Sequence, residues 1–173
     1  FGNLVTMQWW NDLWLNESFA TFMATKIVDK FYSEWDLWDQ FLDDAMNTAM
    51  SLDSLKTSHP IDVDVNHPSE IRSIFDSISY DKGGCILRML EHFVGKKNFQ
   101  NGLKKYLTKY QYSNAQGSDL WNSIGSVSKQ PIDKMMKTWI KQVGFPLVSV
   151  SRKNSKLLLK QSRFLLEEVK SSK

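Results

Sequence analysis

The chain has 173 residues, 42% of them hydrophobic and 24% charged, with seven tryptophans, ten phenylalanines and a net charge of +3. That composition excludes disorder and collagen and supplies core material for one modest domain. No run nears the roughly 18 to 20 apolar residues of a membrane span, residues 1–14 lack the order of a signal peptide, and the single Cys85 excludes an internal disulfide.

In chain order, Asn16 reads as the cap of a helix running through Phe19, Phe22, Met23 and Ile27. A second helix starts near Ser33 and aligns Leu37, Phe41, Ala45 and Ala49 on one stripe. From Ser51 to Pro68 two His-Pro dipeptides, His59-Pro60 and His67-Pro68, surround alternating Ile61, Val63 and Val65, which predicts an extended loop. Helices resume at Ser69 to Phe75, Ser79 to Val94, Asn98 to Tyr110, Ser118 to Val127 and Pro131 to Val143, punctuated by Gly95, Gly117 and Gly144. No fixed period marks a repeat protein. After Gly144 the pattern turns to period two, predicting a β-hairpin with its turn at Arg152 to Lys156. A lone hairpin is marginal, and Phe1 begins abruptly, so the chain reads as a fragment.

Charge is unevenly placed. Residues 1–80 carry four basic and thirteen acidic side chains, net −9, and the remainder nets +12. An acidic half suits a cationic ligand, but such charges more often solvate helix faces and pair with one another. The lysines of the second half are scattered, without interleaved stacking residues, so neither nucleic acid nor a membrane is an expected partner.

Two segments carry chemistry. In Trp9-Trp10-Asn11-Asp12-Leu13-Trp14-Leu15-Asn16-Glu17 a carboxylate sits at a helix start, where free amides and the helix dipole favour the anion. Taken alone, such a Glu most often caps a helix. In Ile74-Phe75-Asp76-Ser77-Ile78-Ser79-Tyr80-Asp81-Lys82-Gly83-Gly84 the paired glycines suggest close backbone packing or room for a ligand. Tyr80 sits at the helix entrance, where a phenol can donate to an oxyanion, although a lone Tyr is more often half-buried core.

These residues resemble the zinc aminopeptidases of the gluzincin type, the family of membrane alanyl, puromycin-sensitive and archaeal tricorn-associated enzymes, with the archaeal members closest in detail. FGNLVTMQWWNDLWLNESFATF resembles the stretch that follows the His-Glu-x-x-His motif in that family. Sixteen residues precede Glu17, so at the family's spacing the second histidine lies three positions ahead of Phe1. Ser79 to Gly84 resembles the tyrosine block, and Gly144-Phe145-Pro146-Leu147 the passage into a β-sandwich. The family commonly has Gly after the ligand Glu, where this chain has Ser18.

The resemblance implies a mainly α fold: residues 1–145 as the C-terminal helical lobe of a thermolysin-like catalytic domain, then residues 146–173 as the first hairpin of an incomplete β-sandwich. It implies Glu17 as a zinc ligand, Tyr80 as the oxyanion donor and Phe75 as a wall for the first substrate side chain. A core Phe beside Ile71 and Ile74 is the alternative for Phe75. The implied partners are peptide substrates, the missing N-terminal part of the same polypeptide and a larger protease, in the cytoplasm that the lone cysteine also favours. The histidine ligands and general base are absent, and His59, His67 and His92 form no His-x-x-x-His pair. The 173 residues alone are therefore expected to be inactive and to hold zinc weakly. The competing expectation is a non-enzymatic helical module that docks a partner protein through its tryptophan-rich start.

Overall fold

A computed structural model describes residues 1–166. The architecture is mainly α, with two small two-stranded sheets among the described residues. Strand β1, Val5–Met7, leads through a 3-10 turn at Trp10–Asp12 into helix α1, Leu13–Phe31. Leu15, Ser18, Phe19 and Phe22 recur at three and four along α1 and are buried, so this helix is the spine of the core. Asn16 is not its cap. Leu13, Trp14 and Leu15 are each buried, and the helix must begin early enough to bring them inward.

After a 3-10 turn and Asp36 in the left-handed region, α2 (Leu37–Gln40), a π segment (Phe41–Met46) and α3 (Asn47–Asp53) run on as one rod. Its predicted stripe holds, with Phe41 and Ala49 buried. Of the stretch from Ser51 to Pro68 expected as an extended loop, Ser51 to Asp53 belong to α3, and the remainder runs as turns and irregular chain to an extended His67. The next helix is a 3-10 helix, Pro68–Ile74, started by a capping box in which His67 accepts from the Ser69 amide and Glu70 reaches back to the His67 amide.

A π turn, Ile78–Lys82, opens into α4, Gly83–Val94. Gly95, at φ +83°, turns the chain into α5, Lys96–Tyr110, and the short strand β2, Ser113–Ala115, precedes α6, Gly117–Ser128, and α7, Ile132–Ile140. α5 and α6 pack closely because Gly102 leaves no room for even a methyl group against Ile124. Strand β1 pairs with β2 in parallel, Val5 opposite Ser113 and Met7 opposite Ala115. Strands of three residues carry no readable periodicity, and this pair was not anticipated.

The expected hairpin is β3, Pro146–Lys153, and β4, Lys156–Arg163, antiparallel from Pro146 opposite Arg163 to Lys153 opposite Lys156. Asn154, at φ 56°, serves its tight turn. The Arg163 guanidinium ties it to the turn after α3 by donating to the Leu55 carbonyl at 2.8 Å, and Phe145 stacked on Phe164 closes the base of the hairpin.

Candidate active site

Glu17 lies in the second turn of α1, beyond the four free amides of the helix start, so the dipole reading of this carboxylate does not apply. Its place is fixed by its neighbour. Ser18 is fully buried and its hydroxyl donates to the Ser79 carbonyl at 2.7 Å. The two elements approach so closely there that a Cβ on Gly83 would overlap the Ser18 hydroxyl. A Cβ on Gly84 would meet the Phe41 ring at 3.5 Å. The close packing expected of the paired glycines is therefore present, and its effect is to set the π turn directly against α1.

That contact brings Glu17 and Tyr80 together. Partial burial, then a hydrogen bond to Glu17 and its negative charge, raise the Tyr80 phenol above its ordinary pKa. The phenol stays protonated at neutral pH and remains a donor. Phe75, 46% exposed, is not a core residue: Ile71 and Ile74 turn into the small cluster around Leu13 and Val65, and Phe75 points out. Its ring lies 6.4 Å from that of Trp10, tilted by 54°.

The π turn is held from two further sides. Lys82 is buried and pairs with Asp53 at 2.7 Å, while the Asp53 carboxylate also accepts from the Gly144 amide. Asp76, on the loop before the turn, accepts from the Ile78 amide at 2.9 Å and the Ser79 amide at 3.3 Å, and pairs with His59 at 2.8 Å. Sequence reading assigned neither Asp76 nor His59 this role. The spacing of Asp76 before Ile78 and Ser79 is an N-cap signature that points to the first of them.

No group of three His, Cys, Asp or Glu side chains gathers at one point among the described residues. His67 bonds with Ser69 and His92 with the Arg88 carbonyl. Glu17 thus brings a single carboxylate, which fits one arm of a zinc site and does not close one. A polar cavity of about 280 Å³ lies beside the start of α1, lined in part by Asp12, Asp62, Asp133 and Lys141. Burial, then the nearby Asp62, pushes the Asp12 carboxyl up to about 6.

Residues 1–139 match the model of the peptidase family M1 domain. Tricorn protease-interacting factor F2 of Thermoplasma volcanium is 50% identical over 167 residues, 96% of this chain and 21% of that protein. Leucyl aminopeptidase of Saccharolobus solfataricus is 50% identical over 166 residues, again 96% and 21%. Aminopeptidase M1-D of Oryza sativa subsp. japonica is 52% identical over 167 residues, 96% of this chain and 19% of that protein. The chain thus spans about a fifth of the length of these relatives. Carrying the glutamate and tyrosine segments side by side in a mainly α fold, and matched along most of its length, the chain belongs to peptidase family M1.

Proposed function

We propose that this chain is the helical part of a zinc aminopeptidase that removes N-terminal residues from peptides, with Glu17 as a metal ligand, Tyr80 as oxyanion donor and Phe75 as a wall of the first side-chain pocket. The observation that carries the reading is the Glu17 carboxylate facing a protonated Tyr80 phenol across the contact of Ser18 with the Ser79 carbonyl. Zinc, held by Glu17 and by histidines outside this chain, would polarise a peptide carbonyl and lower the pKa of its water. Tyr80 would donate its phenolic hydrogen to the oxygen that becomes negative as the carbonyl is attacked. Phe75, with the Trp10 ring 6.4 Å from its own, would offer an apolar surface to the first substrate side chain.

The domain division belongs to the same proposal, with residues 1–145 in the catalytic domain and 146–173 opening a β-sandwich. So does association with a larger protease, by kinship with a factor named for its interaction with tricorn protease. A cytoplasmic setting is proposed too. It rests on the one free cysteine, whose thiol burial pushes up to about 11 and leaves inert at neutral pH. Against the docking-module alternative, Trp14 stacks on Trp121 inside the core, and Trp9, although half exposed, donates its indole N–H to the Val65 carbonyl.

The test uses the full-length gene product and an aminoacyl chromogenic substrate. Glu17→Ala is expected to lose zinc, read by mass spectrometry, together with activity; stoichiometric zinc in that variant removes Glu17 from the metal. Tyr80→Phe is expected to lower kcat by about 100- to 1000-fold with zinc content and KM nearly unchanged. Wild-type turnover there removes Tyr80 from the mechanism.

A further inference from the structure

His59 lies in the loop between α3 and the 3-10 helix, and both of its ring nitrogens meet acceptors. Nδ1 is 2.8 Å from the Pro60 carbonyl oxygen and Nε2 is 2.8 Å from Asp76 Oδ2. A carbonyl accepts only, and so does an ionised carboxylate, so satisfying both contacts requires a hydrogen on each nitrogen. The ring is held as imidazolium. The other Asp76 oxygen accepts from the Ile78 and Ser79 amides, and the Asp76 carbonyl accepts from the Tyr80 amide at 3.1 Å. One residue therefore joins the far loop to the turn that carries Tyr80, immediately after Phe75.

We propose that His59 is a positioning residue: as an imidazolium clamped between the Pro60 carbonyl and Asp76, it holds the turn that aims Tyr80 and seats Phe75, and loss of its proton loosens that turn. The inference rests on the reading of Tyr80 as oxyanion donor.

The charges facing this pair are few. Lys82 opposes a cation at His59, but is itself drawn to Asp53 and feels Arg163 as a like charge. Asp81 feels Asp76 as a like charge. The hydrogen bond that His59 donates to Asp76 raises the His59 pKa above its ordinary 6.5, against the opposing effect of burial. Burial pushes Asp76 up, but the His59 hydrogen bond and charge and the two amides outweigh it and hold the carboxyl below its ordinary value. The sign follows. For His59, raised in the folded state, the clamp is complete below pH 6.5 and is lost as pH rises through the folded pKa. For Asp76, lowered, it is lost only as pH falls below the ordinary carboxylate range.

The experiment compares wild type, His59→Gln and His59→Ala in the full-length gene product. It follows kcat and KM from pH 5.5 to 9, and hydrogen exchange of the peptide covering residues 76–84 corrected for intrinsic rates. In wild type, exchange of that peptide quickens and kcat falls as pH rises through the His59 pKa. His59→Gln offers an N–H to Asp76 but no charge, as the neutral ring does, so at every pH it exchanges and turns over like wild type above the His59 pKa, and the alkaline change disappears. His59→Ala exchanges faster at every pH and loses about 10- to 100-fold in kcat, with KM little changed. Wild-type protection of residues 76–84 in His59→Ala, or a wild-type pH profile in His59→Gln, overturns the proposal. If wild type itself turns over no aminoacyl substrate, the aminopeptidase reading fails, and the exchange comparison alone decides the clamp.

Discussion

Ser18 and Gly83 are complementary: the hydroxyl of one occupies the space that a side chain on the other would need. Gly83→Ala is expected to destabilise the protein by about 1 to 3 kcal/mol through overpacking, read by urea unfolding followed by tryptophan fluorescence. Adding Ser18→Gly should recover part of that loss, and additive effects of the two changes would contradict the pairing. The importance of this position was half legible. Two adjacent glycines at a helix start signal close approach, but nothing in a single sequence names Ser18 as the group that approaches. Glu17 is legible through its motif and not through the helix dipole, because the helix begins at Leu13. Asp12, whose carboxylate resembles a cap for α1, accepts instead from the Gly117 amide at the start of α6.

At the scale of elements, the turn bearing Tyr80 reads from sequence as ordinary helix and is a π turn in the structure. Its geometry comes from outside itself: Asp76 takes its first amides, Ser18 supplies a donor to the Ser79 carbonyl, and Lys82 is pulled toward Asp53. Such tertiary causes leave no periodic trace, which is also why the β1–β2 pair is not legible, while each α-helix among the described residues overlaps one expected from spacing and glycine punctuation, and the hairpin is readable too. The Lys82–Asp53 pair is nearly dry, with side-chain exposures of 9% and 1%. Removing one partner strands the other, so Lys82→Met should cost about 3 to 5 kcal/mol in unfolding free energy. Lys82→Met with Asp53→Asn should cost less than Lys82→Met alone; an equal or larger loss would refute the coupling.

Over the whole molecule, the opposed charges of the two halves meet in ion pairs. Lys82 joins Asp53, and Lys141 joins Asp62 at 2.9 Å, so part of the sequence-level asymmetry is neutralised within the fold. Asp12 works against that balance. With its folded pKa at about 6, above the ordinary 3.8, the stability it contributes is complete below pH 3.8 and is lost as pH rises through 6. Asp12→Asn keeps an acceptor for the Gly117 amide and removes the charge. It should raise the urea midpoint at pH 7 and have little effect at pH 4, and an equal shift at both would exclude the ionisation as its cause. The start of the chain is sewn to a distant stretch: the Asn114 side chain donates to the Met7 carbonyl across 107 residues of sequence, beside the β1–β2 pair. A ribosome adds about 5 to 20 residues each second, so this seam waits roughly 5 to 20 seconds for its second edge to be made. The glutamate-bearing segment is made well before the strand that anchors it, and a chaperone that shields nascent tryptophans would have that interval in which to act.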